Sequence, residues 1–290
     1  MMMSLGWAGL RIRAMNGMTA VMLATAVNCV FIDDSAAAGS VSGTRLVLWG
    51  ARGATIVAID NDRLVSTSDK PPKSFANITD ISASSGHLSV VALEGGLQDA
   101  PTFSLYDWQP NPNTASLKAA IPGLVSAQIS ADGEFAALIT CRSEGCDLQV
   151  WKLSSGERLA EWPRLVTRTA KVSWLIDRTV ILVDGADGWI KAVTMDDHSI
   201  SNVVKGHSPS ISPNRSQLAY VYESRIRLRS LTDGRDRQLH SSVFSTQRYI
   251  GRLHWRKDSS QILANREAGA LGYDTECLVL DVGSDRTQQF

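Results

Sequence analysis

Reactive side chains are few in this chain and widely spaced. The five histidines, His87, His198, His207, His240 and His254, are separated by at least nine residues each. They share no H-E-x-x-H spacing of the kind that puts two imidazoles and a base on one helix face. Two acidic clusters, "DNDR" from Asp60 and "MDDHS" around Asp196, have the oxygen chemistry of calcium sites. Each falls short of the six or more oxygens such an ion takes and reads as a solvated turn. No G-x-S-x-G elbow, phosphate loop or G-x-G-x-x-G occurs. The sequence therefore supplies no catalytic residue, no metal ligand set and no cofactor motif.

Two clusters remain. Cys141 and Cys146 flank Arg142–Gly145 within "LITCRSEGCDLQVW". Apolar residues on both sides make two strands, and Gly145 can take the left-handed conformation of a four-residue hairpin loop. Residues opposed across such a hairpin have α-carbons about 4.5–5.5 Å apart, close enough for a disulfide. A zinc site needs about four ligands, and no second pair of Cys or His lies nearby. Cys277, within "ECLVLDV", reads as a free, buried, small apolar residue. In "ESRIRLRSL", Arg225, Arg227 and Arg229 alternate with Ile226 and Leu228, which puts three guanidiniums on one face of a strand. They pair with acids of an adjacent blade, line the exposed side of a loosely covered strand, or form a docking patch for an acidic partner segment.

The N-terminal segment carries a different signal. Arg11 and Arg13 precede the apolar run "AMNGMTAVMLATAVNCVFI", then "DDSAAAGS". A basic flank, an apolar core and small residues at Ala36 and Ala38 predict a secretory leader over residues 1–38, cut before Gly39. The same run, left uncut, would be nearly long enough for a membrane anchor. Cys29 sits in "AVNC", where Asn28 occupies the small-residue position of a lipobox. No later segment is apolar enough to span a bilayer, so no transmembrane span is expected after cleavage. Export in turn supplies the oxidising conditions that the Cys141–Cys146 bond needs, and places the protein in the periplasm or outside the cell.

The rest of the chain is a repeat. "ITDISASSGHLSVVAL", "VSAQISADGEFAALIT", "AKVSWLIDRTVILV", "HSPSISPNRSQLAYVY" and "GRLHWRKDSSQILAN" each read as strand, polar turn, apolar strand. Their turn residues Gly86, Gly133, Arg178, Arg215 and Ser259 are 47, 45, 37 and 44 residues apart. Third strands follow, such as "DLQVWKL" and "RIRLRSL", and then a polar fourth. Four short strands per 40–45 residues predict an all-β propeller, residues 39–290, whose blades bury their faces against one another. Six blades fit, at about 44–75, 76–121, 122–163, 164–205, 206–247 and 248–290, or seven if two have been merged. The first shows only three strands.

"SISPNRSQLAYVY" and "QISADGEFAAL" resemble the S-P-D-G-x-x-[IL]-A repeat of TolB-type and prolyl-oligopeptidase-type propellers. "KGHSPSISPNRSQLAYVYESRIRLRSL" also resembles a WD40 blade, with Gly206-His207 at the Gly-His position and Arg229-Ser230 in place of Trp-Asp. The resemblance spans roughly residues 44–290. It implies a propeller that binds envelope proteins through one rim and the central channel.

Composition narrows the function. The chain has 29 basic and 29 acidic residues, is 44% hydrophobic and 20% charged. Zero net charge excludes attraction to nucleic acid by bulk charge. The sequence thus points to a non-catalytic scaffold for a protein partner, with Arg225, Arg227 and Arg229 as candidate contact residues if the stripe is a docking patch. The alternatives are a hydrolase or lactonase with a channel metal assembled from separate blades, and a small-ligand or glycan sensor.

Overall fold

A computed structural model describes residues 9–13, 19–23, 28–32, 44–50, 53–60, 63–66, 78–84, 87–94, 102–109, 114–176, 179–239, 250–268, 274–284 and 287–289. Strands β1 (Gly9–Arg13) and β2 (Thr19–Leu23) pair with each other as a two-stranded sheet. Among the described residues, the other strands form six four-stranded antiparallel sheets, each a meander of consecutive strands. Blade one holds β3 (Asn28–Ile32), β4 (Thr44–Gly50), β5 (Gly53–Asp60) and β6 (Arg63–Ser66). Blade two holds β7 (Ile78–Ser84), β8 (His87–Glu94), β9 (Thr102–Gln109) and β10 (Thr114–Pro122). Blade three holds β11 (Leu124–Ile129), β12 (Phe135–Arg142), β13 (Gly145–Lys152) and β14 (Glu157–Val166). Blade four holds β15 (Val172–Ile176), β16 (Val180–Asp184), β17 (Trp189–Thr194) and β18 (Ile200–Lys205). Blade five holds β19 (His207–Ile211), β20 (Gln217–Tyr222), β21 (Arg225–Ser230) and β22 (Asp236–Gln238). Blade six holds β23 (Ile250–Trp255), β24 (Gln261–Ala268), β25 (Asp274–Asp281) and β26 (Thr287–Gln289).

The six-bladed propeller expected from the repeat is therefore present, with one difference. Blade one has four strands, because β3 lies upstream of the repeat, inside the apolar run read as a leader. A chain beginning at Gly39 would lack this strand. The first strands pack on one another around the axis, and β3 touches both β7 and blade six, which closes the ring.

The turns explain the shared S-x-[DN] of "SADG" and "SPNR". In blade three, Asp132 Oδ1 accepts from Ser130 Oγ (2.6 Å) and from the Glu134 N–H (3.0 Å). In blade five, Asn214 Oδ1 accepts from Ser212 Oγ (2.7 Å) and from the Ser216 N–H (3.1 Å). The next residue must be left-handed, and Gly133 (φ 73°) provides this without cost. Arg215 and Ser259 adopt the same conformation with side chains (φ 57° and 61°). Gly133→Ala is expected to lose about 1 kcal/mol in urea unfolding, the penalty for Cβ in the left-handed region. No loss would mean that the turn rearranges.

Neighbouring blades are stitched by hydrogen bonds from matching residues, three donated by a backbone N–H and one by a side chain. The Ile129 N–H donates to Ser89 Oγ, the Trp174 N–H to Gln128 Oε1, the Ile211 N–H to Ser173 Oγ, and Trp255 Nε1 to the Ser210 carbonyl, at 2.7–3.2 Å. Apolar faces complete the contact: Ala137, Ile139 and Leu148 of blade three pack with Val172, Trp174 and Ile181 of blade four. Second and third strands are apolar on both faces because a blade lies on each side. Outer strands are not: β18 and β22 are mostly exposed. Among the described residues, no helix is long and apolar enough to cross a membrane.

Candidate functional site

The inner strands bring together side chains that are far apart in sequence. Asp80 (β7), Ser126 (β11), Lys171 (preceding β15), Ser208 (β19) and Arg252 (β23) occupy matching places in blades two to six. Four of them stand seven residues before the turn residues Gly133, Arg178, Arg215 and Ser259, and Asp80 stands six before Gly86. Asp80 is the hub of the charged part. Its Oδ2 accepts from Arg252 Nη2 (2.5 Å) and Ser126 Oγ (2.7 Å), and its Oδ1 lies 3.4 Å from Lys171 Nζ. Arg252 Nη2 also donates to Ser126 Oγ (2.9 Å). The link from blade six to blade two passes over blade one, so this network ties the ring across its seam.

The electrostatics follow from burial and charge. Burial pushes the Asp80 carboxyl up, but Arg252, Lys171 and the Ser126 hydroxyl together outweigh it and hold it below the ordinary carboxylate range. Asp184, at the end of β16, also feels Lys171 and Arg252, but burial outweighs them. Burial pushes it up to about 7, against the backbone N–H groups of Lys171 and Ser208. Its Oδ2 accepts from the Lys171 N–H (2.9 Å), and among the described residues the buried Oδ1 has no hydrogen-bond partner. His254 shares this environment; burial, then Arg252, pushes it well below the usual imidazole range, and among the described residues Nε2 has no hydrogen-bond partner. Among the described residues, the Asp80 carboxyl is thus held ionised between Arg252 and Lys171, whereas burial opposes ionisation of Asp184.

The other histidines stand elsewhere. His207 is half-buried with Nδ1 3.1 Å from Ser208 Oγ, a structural position, and burial lowers its pKa. His198 sits in the "MDDHS" turn, its ring 5.4 Å from that of Trp162. In that turn the Asp197 carboxylate accepts from the Ser199 N–H (2.9 Å). His240 and the side chains of His87 and Asp60 lie outside the described residues. Among the described residues, no three His, Cys, Asp or Glu side chains are close enough to hold a metal.

Cys141 and Cys146 form the expected disulfide, with α-carbons 4.1 Å apart. They are directly opposed, and pairing continues to Arg142 and Gly145, so the loop is tighter than the four residues expected. Gly123 explains part of the close fit: at φ 74° it brings its backbone against Cys141, and a Cβ there would lie 2.4 Å from the Cys141 carbonyl oxygen. Cys277 is buried as expected, but it is disulfide-bonded rather than free. Its partner is distant in the chain, which spacing alone does not reveal.

Arg225, Arg227 and Arg229 do share one face of β21. They stand opposite Tyr222, Tyr220 and Leu218 of β20. Leu218 and Tyr220 pack with Leu182 and Ile190, so this is the face toward blade four. The acid that meets the stripe belongs to the same blade, not to a neighbour as one reading of the sequence had it. Arg229 Nη1 pairs with Asp236 Oδ2 (2.7 Å), and Tyr220 Oη donates to Asp236 Oδ1 (2.9 Å). Burial and this bond push the Tyr220 hydroxyl up to about 12. Arg225 is exposed and donates to Gln238 Oε1 (3.1 Å); Arg227 and Arg229 are half-buried.

No protein-family model matches the chain, and no curated protein matches it. Among solved structures, TolB from Acinetobacter baumannii is similar in fold, with a TM-score of 0.59 and 11% identity. The match covers 82% of this chain and 60% of the TolB chain. It supports a TolB-like propeller fold, and at this identity it shows the fold alone.

Proposed function

We propose that the protein is an exported, non-catalytic propeller that holds an acidic segment of a partner protein on the outer half of blade five. The carrying observation is a concentration of charge. Residues 206–239 contain six arginines against three acidic residues, in a chain that is neutral as a whole. Three of the six share one strand face, where Asp236 meets Arg229 and Arg225 reaches solvent. The strand covering them, β22, has three residues, all exposed. A planar fork at each position suits bidentate capture of carboxylates. The basic flank and apolar run at the N-terminus support export, as do disulfides in a chain with only four cysteines. A TolB-like fold is compatible with a scaffold role, since such rings present large, rigid faces.

Affinity capture tests the proposal. Wild-type protein should retain an envelope partner that elutes as salt rises, as contacts between exposed charges do. Arg225→Glu should retain far less while melting at nearly the same temperature, because Arg225 is exposed. Equal capture by both proteins would refute blade five as the contact surface.

A further inference from the structure

We infer that Cys277 is bonded to Cys29, so that a disulfide closes the ring between its last and first blades. Cys277 is disulfide-bonded. The chain has four cysteines, and Cys141 and Cys146 bond each other, which leaves Cys29. The fold places that residue suitably: Cys29 is on β3, and β3 packs against β23, β24 and β25 of blade six. Alternation along β25 gives the direction of Cys277. Leu278 and Leu280 pack with Ala219, Val221 and Ile226 of blade five. Cys277 therefore faces the other way, toward blade one. The seam has a physical need for such a bond. Every blade is built from consecutive strands, so no strand from one end of the chain joins the sheet at the other end. Without a covalent link, the described contacts across the seam are strand packing and the Arg252–Asp80 ion pair.

The chemistry is thiol–disulfide exchange. Cys29 and Cys277 lose two electrons and two protons to the disulfide of an oxidised thiol–disulfide oxidoreductase, which leaves as its dithiol. The inference rests on the export reading, since the bond requires an oxidising compartment. It also sets the processing site. Cleavage before Gly39 would remove Cys29 together with β3. Ala24-Thr25-Ala26 places small residues at the end of a ten-residue apolar core, Ala14–Leu23, and cleavage after Ala26 retains both.

Peptide mapping of non-reduced protein, recovered from an oxidising compartment, tests this. The expected result is a linked pair of peptides holding Cys29 and Cys277, beside the Cys141–Cys146 peptide, and a mature N-terminus upstream of Asn28. Closing so long a loop should raise the melting temperature, and Cys277→Ser should lower it by about 10 °C. If that variant fails to fold, comparison of oxidised and reduced wild type gives the same shift. A free Cys277 thiol, a link to another cysteine, or exported protein beginning at Gly39 would overturn the closure. In the last case export itself would stand, so the two readings fail separately.

Discussion

Asp80→Ala should lower stability by about 3–5 kcal/mol, the range seen when one partner of a buried ion network is removed. In a chain of this size that is a fall of roughly 10 °C in melting temperature. Arg252 and Lys171 would be left near the axis with no carboxylate between them, and Ser126 Oγ would lose its acceptor. The loss should depend on pH. The folded-state pKa of Asp80 is depressed, so its contribution is present above the unfolded value of about 3.9 and disappears as pH falls through the folded value. Wild type and variant should therefore converge in acid. Adding Arg252→Met to Asp80→Ala should recover part of the loss at neutral pH, because the stranded charge goes with it. A loss below 1 kcal/mol for the single variant would mean that water, not Arg252, solvates Asp80.

The second large effect has the opposite sign. Asp184 has its pKa raised in the folded protein to about 7, from an ordinary value near 3.8. Folding is therefore penalised whenever Asp184 must ionise. The penalty is absent below about pH 4, grows through the interval up to pH 7, and approaches 4 kcal/mol above it, at about 1.36 kcal/mol per pKa unit. Asp184→Asn keeps an acceptor for the Lys171 N–H and cannot ionise. Its stability relative to wild type should rise by about 2.5 kcal/mol between pH 5 and pH 8, read as denaturant midpoints at both. A difference that is flat with pH would show that Asp184 is solvated in the folded ring.

Much of the ring was legible because its repeat is carried by turns. Asp132-Gly133 and Asn214-Arg215 mark hairpins through side-chain bonds to the local backbone, and such signals survive divergence of the strands. The inner strand of blade one was not legible. Residues 28–32, "NCVFI", must be apolar to sit in the ring, and the core of a secretory leader must be apolar too. Composition does not separate the two. The axial network was hidden for another reason. Asp80 in "ITDIS", Lys171 in "TAKVSW" and Arg252 in "GRLHW" are single charges in apolar strands, each unremarked in its own repeat. Superposing the repeats on their turns aligns them, and that register was the available signal. The arginine stripe was legible as a face through its period of two. Its partner was not, because Asp236 reaches Arg229 only through the pairing of β21 with β22. The Cys141–Cys146 bond is local, and spacing sufficed; Cys277 pairs across the ring, where spacing carries no information.

The docking proposal is tested most directly by calorimetric titration of a glutamate decapeptide, as a probe for acidic segments, into wild-type protein and the Arg225→Ala/Arg227→Ala/Arg229→Ala variant at low and high salt, with a melting curve of each. The account predicts saturable binding by wild type at low salt, weakened at high salt. In the variant, binding should be lost while the protein still unfolds cooperatively, with only the modest loss expected from the half-buried Arg229–Asp236 pair. Equal binding by the two proteins, or no binding by wild type at low salt, would contradict it.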